Sequence, residues 1–299
     1  MCGEYEDEYY LTADAEYLSP TLDVVFKMLF GDANNRDMLE NLLVTYLELD
    51  SIENIELLNG EVTPNEADDK LVRLDLRITS KDHEIDVEVQ VFRDKEYADR
   101  CISYWAAIHQ DAIKRGGKYS AKKVLSLNIL GFSYFKDSGG YISNFVWYDP
   151  ENKRQLSENA KITFVELPKA RKFTPEQIRN DDKMAWAAFF NAKSKEDFTM
   201  LNQTTENNTV HKAINEISRI SADDLARDKA RRREEAILTE RSRMRAAMEE
   251  GEKRGEERGE KKGKEEERKK TVKALRLRGY SEEEIEAIVA QIESIKTDF

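Results

Sequence analysis

Cysteine is nearly missing from this 299-residue chain, with Cys2 and Cys101 its two thiols. Two dispersed cysteines build no disulfide framework and match no metal spacing, so a reducing cytoplasm is the expected setting. Histidine is as scarce: His83, His109 and His211 share no ligand spacing with one another or with a cysteine, and all three read as structural. Long apolar runs are absent; none approaches the roughly 18 residues that a bilayer span requires, so no membrane partner is expected. The first twenty residues are acidic, where a secretory signal would be basic and then apolar. No glycine-rich phosphate loop follows a strand and opens a helix. Basic excess is missing too. The chain carries 48 Lys+Arg against 60 Asp+Glu, a net charge of −12, which argues against a uniformly basic nucleic-acid binder. The balance is uneven: residues 1–170 hold 19 Lys+Arg against 32 Asp+Glu, or −13, whereas residues 227–270 hold 17 against 13, or +4. A nucleic-acid surface would have to be local.

The length admits one large domain or two smaller ones. With 39% hydrophobic and 36% charged residues, part of the chain is expected to be extended or solvated rather than core. Residues 1–17 form an acidic, aromatic arm. Ser19-Pro20-Thr21 opens a helix with Leu22, Val25, Phe26 and Leu29 on one face, ending near Gly31. Residues 32–49 read as a second helix, 52–58 as a strand, and 59–69 as an exposed connection. A long helix is expected from about Glu96 to Lys114, stopped by Gly116-Gly117. Strands follow at 123–135, 145–148 and 162–167. This order is α/β in character.

Residues 173–226 look helical, with Trp186, Phe189 and Phe190 as docking residues. Residues 227–270 form a charged helix or linker with Gly251, Gly255, Gly259 and Gly263 every four residues. That stripe reads either as a solvated, glycine-weakened spacer or as a seam where two copies pack closely. Residues 271–299 form a small helical hairpin, its second helix capped by Ser281 with Glu284 three residues later. That helix has little Lys or Arg for phosphate contact.

The most informative stretch is a β-hairpin. Lys70–Thr79 and Glu84–Arg93 both alternate apolar and polar residues with period two. For an even turn centred between Lys81 and Asp82, Thr79 faces Glu84, Arg77 faces Asp86 and Asp75 faces Glu88, with Gln90 one pleat on. Cross-strand partners project to the same side. Asp75 and Glu88 would then sit side by side, an arrangement that destabilises a hairpin unless something offsets it. A divalent cation is one offset, since Mg²⁺ and Mn²⁺ take carboxylate, amide and water oxygens. The plainer alternative is a wet, charged face in which Arg77 pairs with Asp86 and Arg73 lies near Gln90.

Asp75, then Glu88-Val89-Gln90 on the next strand, preceded by a helix with Asp23-x-x-Phe26-Lys27, resembles the PD-(D/E)XK nuclease superfamily. More narrowly it is similar to the Rpn-type branch of recombination-promoting nucleases, also described as PD-(D/E)XK family transposases. Ser19-Pro20, Phe30-Gly31, Arg100 with Tyr104, Gly116 with Tyr119, and Glu166-Leu167-Pro168-Lys169 fit in order, and the likeness spans about Ser19 to Lys172. It implies a restriction-endonuclease-like core over residues 18–172, a central mixed sheet flanked by helices, with a helical, highly charged C-terminal extension.

The resemblance further implies a Mg²⁺- or Mn²⁺-dependent DNA endonuclease in recombination, mobile elements or defence. Asp75 and Glu88 would be the metal ligands, with Asp23 and the Val89 carbonyl as further candidates, and Gln90 would join Asp75 and Glu88 in catalysis. Leu74 and Gln90 stand where the superfamily name has Pro and Lys. A Lys can hold water and stabilise developing negative charge; a neutral amide only orients water. Arg73, Arg77, Arg93, Lys95 and Arg100 are candidates for the DNA backbone, and Gln110 for reaching the site from its helix. A homodimer through the C-terminal extension is expected. The rival from another class is a catalytically decayed nuclease fold that binds DNA or a protein partner.

Overall fold

The computed structural model of the chain describes residues 15–58, 61–62, 72–73, 75–116 and 122–297. Most of the acidic arm and of the 59–69 connection, the Arg73 side chain, Gly117 and Tyr119 lie outside the described residues. Helix α1 (Asp23–Phe30) buries Val25, Phe26, Leu29 and Phe30 along one stripe. It stops at Gly31, where a Cβ would come within 2.4 Å of the Lys27 carbonyl oxygen. Asn35, itself buried, donates from Nδ2 to the Leu29 carbonyl at 3.0 Å, satisfying a carbonyl at the helix end. Helix α2 (Arg36–Leu47) then buries Leu39, Leu42, Leu43 and Tyr46.

The strands follow as β1 (Glu56–Leu58), β2 (Glu61–Val62), β3 (Val72–Arg73), β4 (Leu76–Thr79) and β5 (His83–Gln90). Helix α3 (Tyr97–Gly116) crosses over to β6 (Lys123–Leu130), followed by β7 (Ile142–Phe145), β8 (Tyr148–Asp149), β9 (Arg154–Gln155) and β10 (Ala160–Glu166). Among the described residues the main sheet has the order β1-β4-β5-β6-β10-β7. It is mixed: β5–β6 and β6–β10 are parallel, while β1–β4, β4–β5 and β10–β7 are antiparallel. Strands β2 and β3 pair separately, as do β8 and β9.

The hairpin register is the expected one: Thr79 pairs with Glu84, Ile78 with Ile85, Arg77 with Asp86 and Leu76 with Val87. Its first arm is not one strand, however. It divides into β3, which joins β2, and β4, with Asp75 at a bend just before β4. The expected strands at 52–58 and 123–135 are shorter than their apolar runs, because Ile52, Ile55 and Phe132 are buried by loops that pack on the core rather than by pairing.

Alternation divides the sheet into two faces. Ile78, Ile85, Val87, Leu127 and Ile129 are buried on the side of α1 and α2. Beyond them lie α4 (Pro175–Asn180), α5 (Asp182–Asn191), α6 (Lys195–Thr204) and α7 (Asn208–Ser221). Trp186 and Phe190 of α5 meet Phe30 at ring-centroid distances of 5.8 and 6.0 Å, and Phe189 meets Phe198 of α6 at 5.9 Å. The three aromatic docking residues therefore close the core of α1 and α2. The opposite face is covered by α3, whose Trp105 and Ile108 pack on Val124 and Ala160.

Helix α8 (Asp224–Leu277) follows, and the chain divides within it into two compact units, the first ending at Glu234 and the second beginning at Glu235. In the second unit the glycine repeat is helical. A Cβ at Gly251, Gly255, Gly259 or Gly263 would meet nothing within 4 Å. Helix α9 (Glu282–Thr297) opens on a capping box, with Ser281 N donating to Glu284 Oε2 at 2.9 Å and Glu284 N donating to Ser281 Oγ at 3.3 Å.

Candidate metal and catalytic centre

Asp75 and Glu88 meet at the open end of the β4–β5 hairpin. The Asp75 amide donates to Glu88 Oε1 at 3.2 Å, and the Val89 amide donates to Asp75 Oδ2 at 3.0 Å. The bend before β4 makes this possible: the Asp75 side chain turns onto β5 and takes an N–H that a longer β4 would have to satisfy. Asp75 Oδ1 is reached from the other layer, by Lys27 Nζ of α1 at 3.0 Å. Gln90 sits one pleat on, donating from Nε2 to the Phe92 carbonyl at 3.2 Å and accepting from Arg100 of α3 at 3.5 Å.

The polar face of β5 is not wet. Glu84, Asp86 and Glu88 are 2%, 1% and 8% exposed, because α3 lies over them. Asn128, opposite Glu88 on β6, accepts from Tyr97 Oη at 2.9 Å and Cys101 Sγ at 3.1 Å, and donates to Ser126 Oγ at 3.1 Å. Ser126 donates in turn to Asp86 Oδ2 at 3.1 Å. Asp86 Oδ1 and Arg77 Nε are buried with no hydrogen-bond partner among the described residues.

Burial pushes the Asp86 carboxyl up to about 7, opposed by the Ser126 hydroxyl, with the Asp75 charge raising it further and Arg77 lowering it. Glu88 is pushed well above the ordinary carboxylate range, first by burial and then by the charges of Asp86 and Asp75. Burial and mutual repulsion thus disfavour the ionised forms of both carboxyls.

The other sequence candidates separate. Arg77 is 5% exposed and bonded to Asp111 of α3, so its assignment to the DNA backbone is corrected: it is a buried tie between β4 and α3. Nor does it pair with Asp86 as a wet face would have it. Asp23 accepts a two-point contact from Arg233 Nε, at 3.0 Å to Oδ1 and 2.8 Å to Oδ2. Val89 contributes its amide through Asp75. Arg93 and Lys95 are exposed on the loop after β5. Arg100 holds Asp94 at 2.7 Å and lies 4.8 Å over the Tyr97 ring. Gln110 is exposed on α3.

Glu166 is fully buried and accepts from the amides of Tyr134 and Phe135 at 2.7 and 3.0 Å and from Lys169 Nζ at 2.7 Å, which makes that motif a clamp on the loop after β6. Sequence reasoning gave no role to Lys27 and read Asp86 as half of a surface pair. Its signal was there: three acids at i, i+2 and i+4 on one strand are too many for Arg77 alone.

Two cavities among the described residues lie away from the pair of Asp75 and Glu88. The larger, of 660 Å³, is lined by Asn41, Asp181 and Asn207, and an apolar groove of 360 Å³ lies between α3 and the β7 edge, lined by Ile102, Trp105, Phe145 and Trp147. Among the described residues no three His, Cys, Asp or Glu side chains form a ready metal cluster. Two neighbouring acidic side chains and an amide oxygen nonetheless fit a hard divalent cation, which keeps several waters and needs only one or two carboxylates.

A family model described as PD-(D/E)XK nuclease family transposase matches residues 20–247. Comparison with curated proteins and with solved structures gave no match.

Proposed function

This chain belongs to the PD-(D/E)XK nuclease family transposases, and on that footing we propose that it is a Mg²⁺- or Mn²⁺-dependent DNA endonuclease. The observation that carries the reading is the bond from the Asp75 amide to Glu88 Oε1 at 3.2 Å, which brings the Glu88 carboxyl against Asp75 where β4 and β5 open. Asp75 and Glu88 would hold the ion, with the Val89 carbonyl and Asp23 as further ligands; Asp23 would first have to leave Arg233. The ion would lower the pKa of a bound water and neutralise charge on the scissile phosphate. Gln90 Oε1 would orient that water. Exposed Arg93 and Lys95 would hold the DNA backbone, joined by Arg73 and by Arg100, which already stands beside Gln90.

The setting proposed is the cytoplasm, in recombination, mobile elements or defence. Among the described residues no helix is long and apolar enough to cross a membrane. Self-association through residues 227–299 belongs to the same reading, because the glycine stripe has room for a close neighbour. Sedimentation of the full chain across a concentration series tests it: a dimer lost in Gly255→Leu supports the stripe, and a monomer throughout removes it.

Plasmid cleavage with Mg²⁺ or Mn²⁺ tests the activity. Wild type should cut, and Asp75→Ala and Glu88→Ala should each lose at least about 100-fold, the scale on which single groups at such centres act. A second reading, a decayed nuclease fold that binds without cutting, draws on one observation. Gln90 brings no charge, and β5 from His83 to Gln90 holds no Lys or Arg. Wild type that binds DNA but never cuts it would favour that reading.

A further inference from the structure

The missing positive charge on β5 has a counterpart on α1. Lys27 Nζ stands 3.0 Å from Asp75 Oδ1, with its side chain 45% exposed and that of Asp75 14% exposed. It thus reaches Asp75 from α1 while much of its side chain stays in solvent. Among the described residues, the arginines of β4 and α3 near the pair are committed elsewhere. Arg77 is buried against Asp111, and Arg100 is fixed by Asp94, Gln90 and the Tyr97 ring. Lysine suits the role: a compact ammonium on a flexible stem moves a few ångströms without disturbing its helix.

The helix itself is anchored. Phe26, beside Lys27, is fully buried against Phe30 and Phe190, Gly31 ends the helix against the Lys27 carbonyl, and Asp23 one turn earlier is gripped by Arg233. The base of Lys27 is therefore fixed while its tip is free to exchange partners.

We propose that Lys27 is the catalytic cation of this centre, taking from α1 the place that a lysine two residues after Glu88 would have filled. The inference rests on the nuclease reading above. Without substrate, Lys27 neutralises Asp75. With DNA and metal in place, its ammonium donates hydrogen bonds to the attacking water and to a non-bridging oxygen of the scissile phosphate. The water oxygen forms a bond to phosphorus, and the bond from phosphorus to the leaving strand oxygen breaks. The water gives its proton to solvent, the leaving oxygen takes one from solvent, and no proton leaves Lys27.

The test compares wild type, Lys27→Met, and Lys27→Met combined with Gln90→Lys in plasmid cleavage, and titrates Mn²⁺ into each metal-free protein by calorimetry. Lys27→Met should lower kcat about 100-fold while binding Mn²⁺ as tightly as wild type or more so, since a competing cation has left Asp75. Adding Gln90→Lys should restore at least about tenfold of the loss, because it returns an ammonium to the same carboxylates from β5. Cleavage by Lys27→Met within about threefold of wild type, a range worth under 1 kcal/mol, overturns the proposal and leaves the nuclease reading standing. Loss of Mn²⁺ binding together with activity also overturns it, by making Lys27 a scaffold. Wild type that never cuts overturns both.

Discussion

The two faces of β5 are made by alternate residues of one strand and are buried to nearly the same depth, yet they are closed by opposite chemistry. Toward α1 and α2, Ile85 and Val87 are fully buried among apolar side chains. Toward α3, Glu84, Asp86 and Glu88 are almost as deeply buried among polar ones. Depth does not separate the faces; satisfaction does. Along the polar face it declines toward the open end of the hairpin. Glu84 Oε1 accepts from Thr79 Oγ1 at 2.7 Å and lies 3.5 Å from Lys122 Nζ. Asp86 has one oxygen bonded and one without a partner. Glu88 holds the Asp75 amide and faces two like charges. Burying charge without compensation is costly, so the open end is where the polar face is least well compensated.

The sharpest way to break this comparison is to cross the two faces. Ile85→Ala should cost about 2–5 kcal/mol of unfolding free energy, as a large-to-small change in a filled core does, measured by urea unfolding, with activity per folded molecule retained. Glu88→Gln should do the reverse near neutral pH: no loss of stability in the metal-free protein, and cleavage abolished. A Glu88→Gln protein as unstable as Ile85→Ala would make Glu88 a structural residue and void the contrast.

A smaller effect comes from pH. An acid whose folded pKa is raised binds its proton more tightly folded than unfolded, so its contribution is full below the unfolded value and is lost as pH rises through the folded one. For Asp86 that window runs from the ordinary 3.8 to about 7, and Glu88 acts in the same direction. Metal-free wild type should therefore lose stability relative to Asp86→Asn between about pH 4 and pH 7, with each unit of raised pKa worth about 1.4 kcal/mol. Parallel curves for the two proteins would show that Asp86 does not titrate in this window. Metal affinity should rise with pH, since the Glu88 carboxyl, which burial also pushes up, must lose its proton before it holds an ion.

Much of the fold was legible because period-two alternation and an even turn determine register. The pairing of Arg77 with Asp86 and Thr79 with Glu84 needed nothing but the turn centre. The docking of Trp186, Phe189 and Phe190 was legible from their size and spacing. Two things were not. The break at Asp75 leaves no trace in a stretch that alternates throughout, because it comes from a side-chain acceptor replacing a ladder partner. The burial of the polar face depends on α3, and amphipathicity says which side of a helix is apolar, not which strands it covers. Lys27 stood in the motif of the first helix, but its place beside Asp75 was hidden for a related reason. It is distant in sequence from Asp75, and only the packing of α1 on the sheet brings the two together.

The finest test concerns one hydroxyl. Ser126 donates to Asp86 Oδ2 and receives from Asn128, so it carries the only bond that favours the ionised form of Asp86 from β6 among the described residues. Ser126→Ala should cost about 1 kcal/mol, and the cost should be larger at pH 8 than at pH 5, because the lost bond stabilises the charge rather than the acid. The Asp86 carboxyl should move further up, visible as a shift of its carbon resonance titration. An equal cost at both pH values would mean that Ser126 serves Asn128 alone. The polar face would then be held by the Asn128 network of Tyr97 and Cys101, with Asp86 a passenger rather than a partner in the charge that collects beside Glu88.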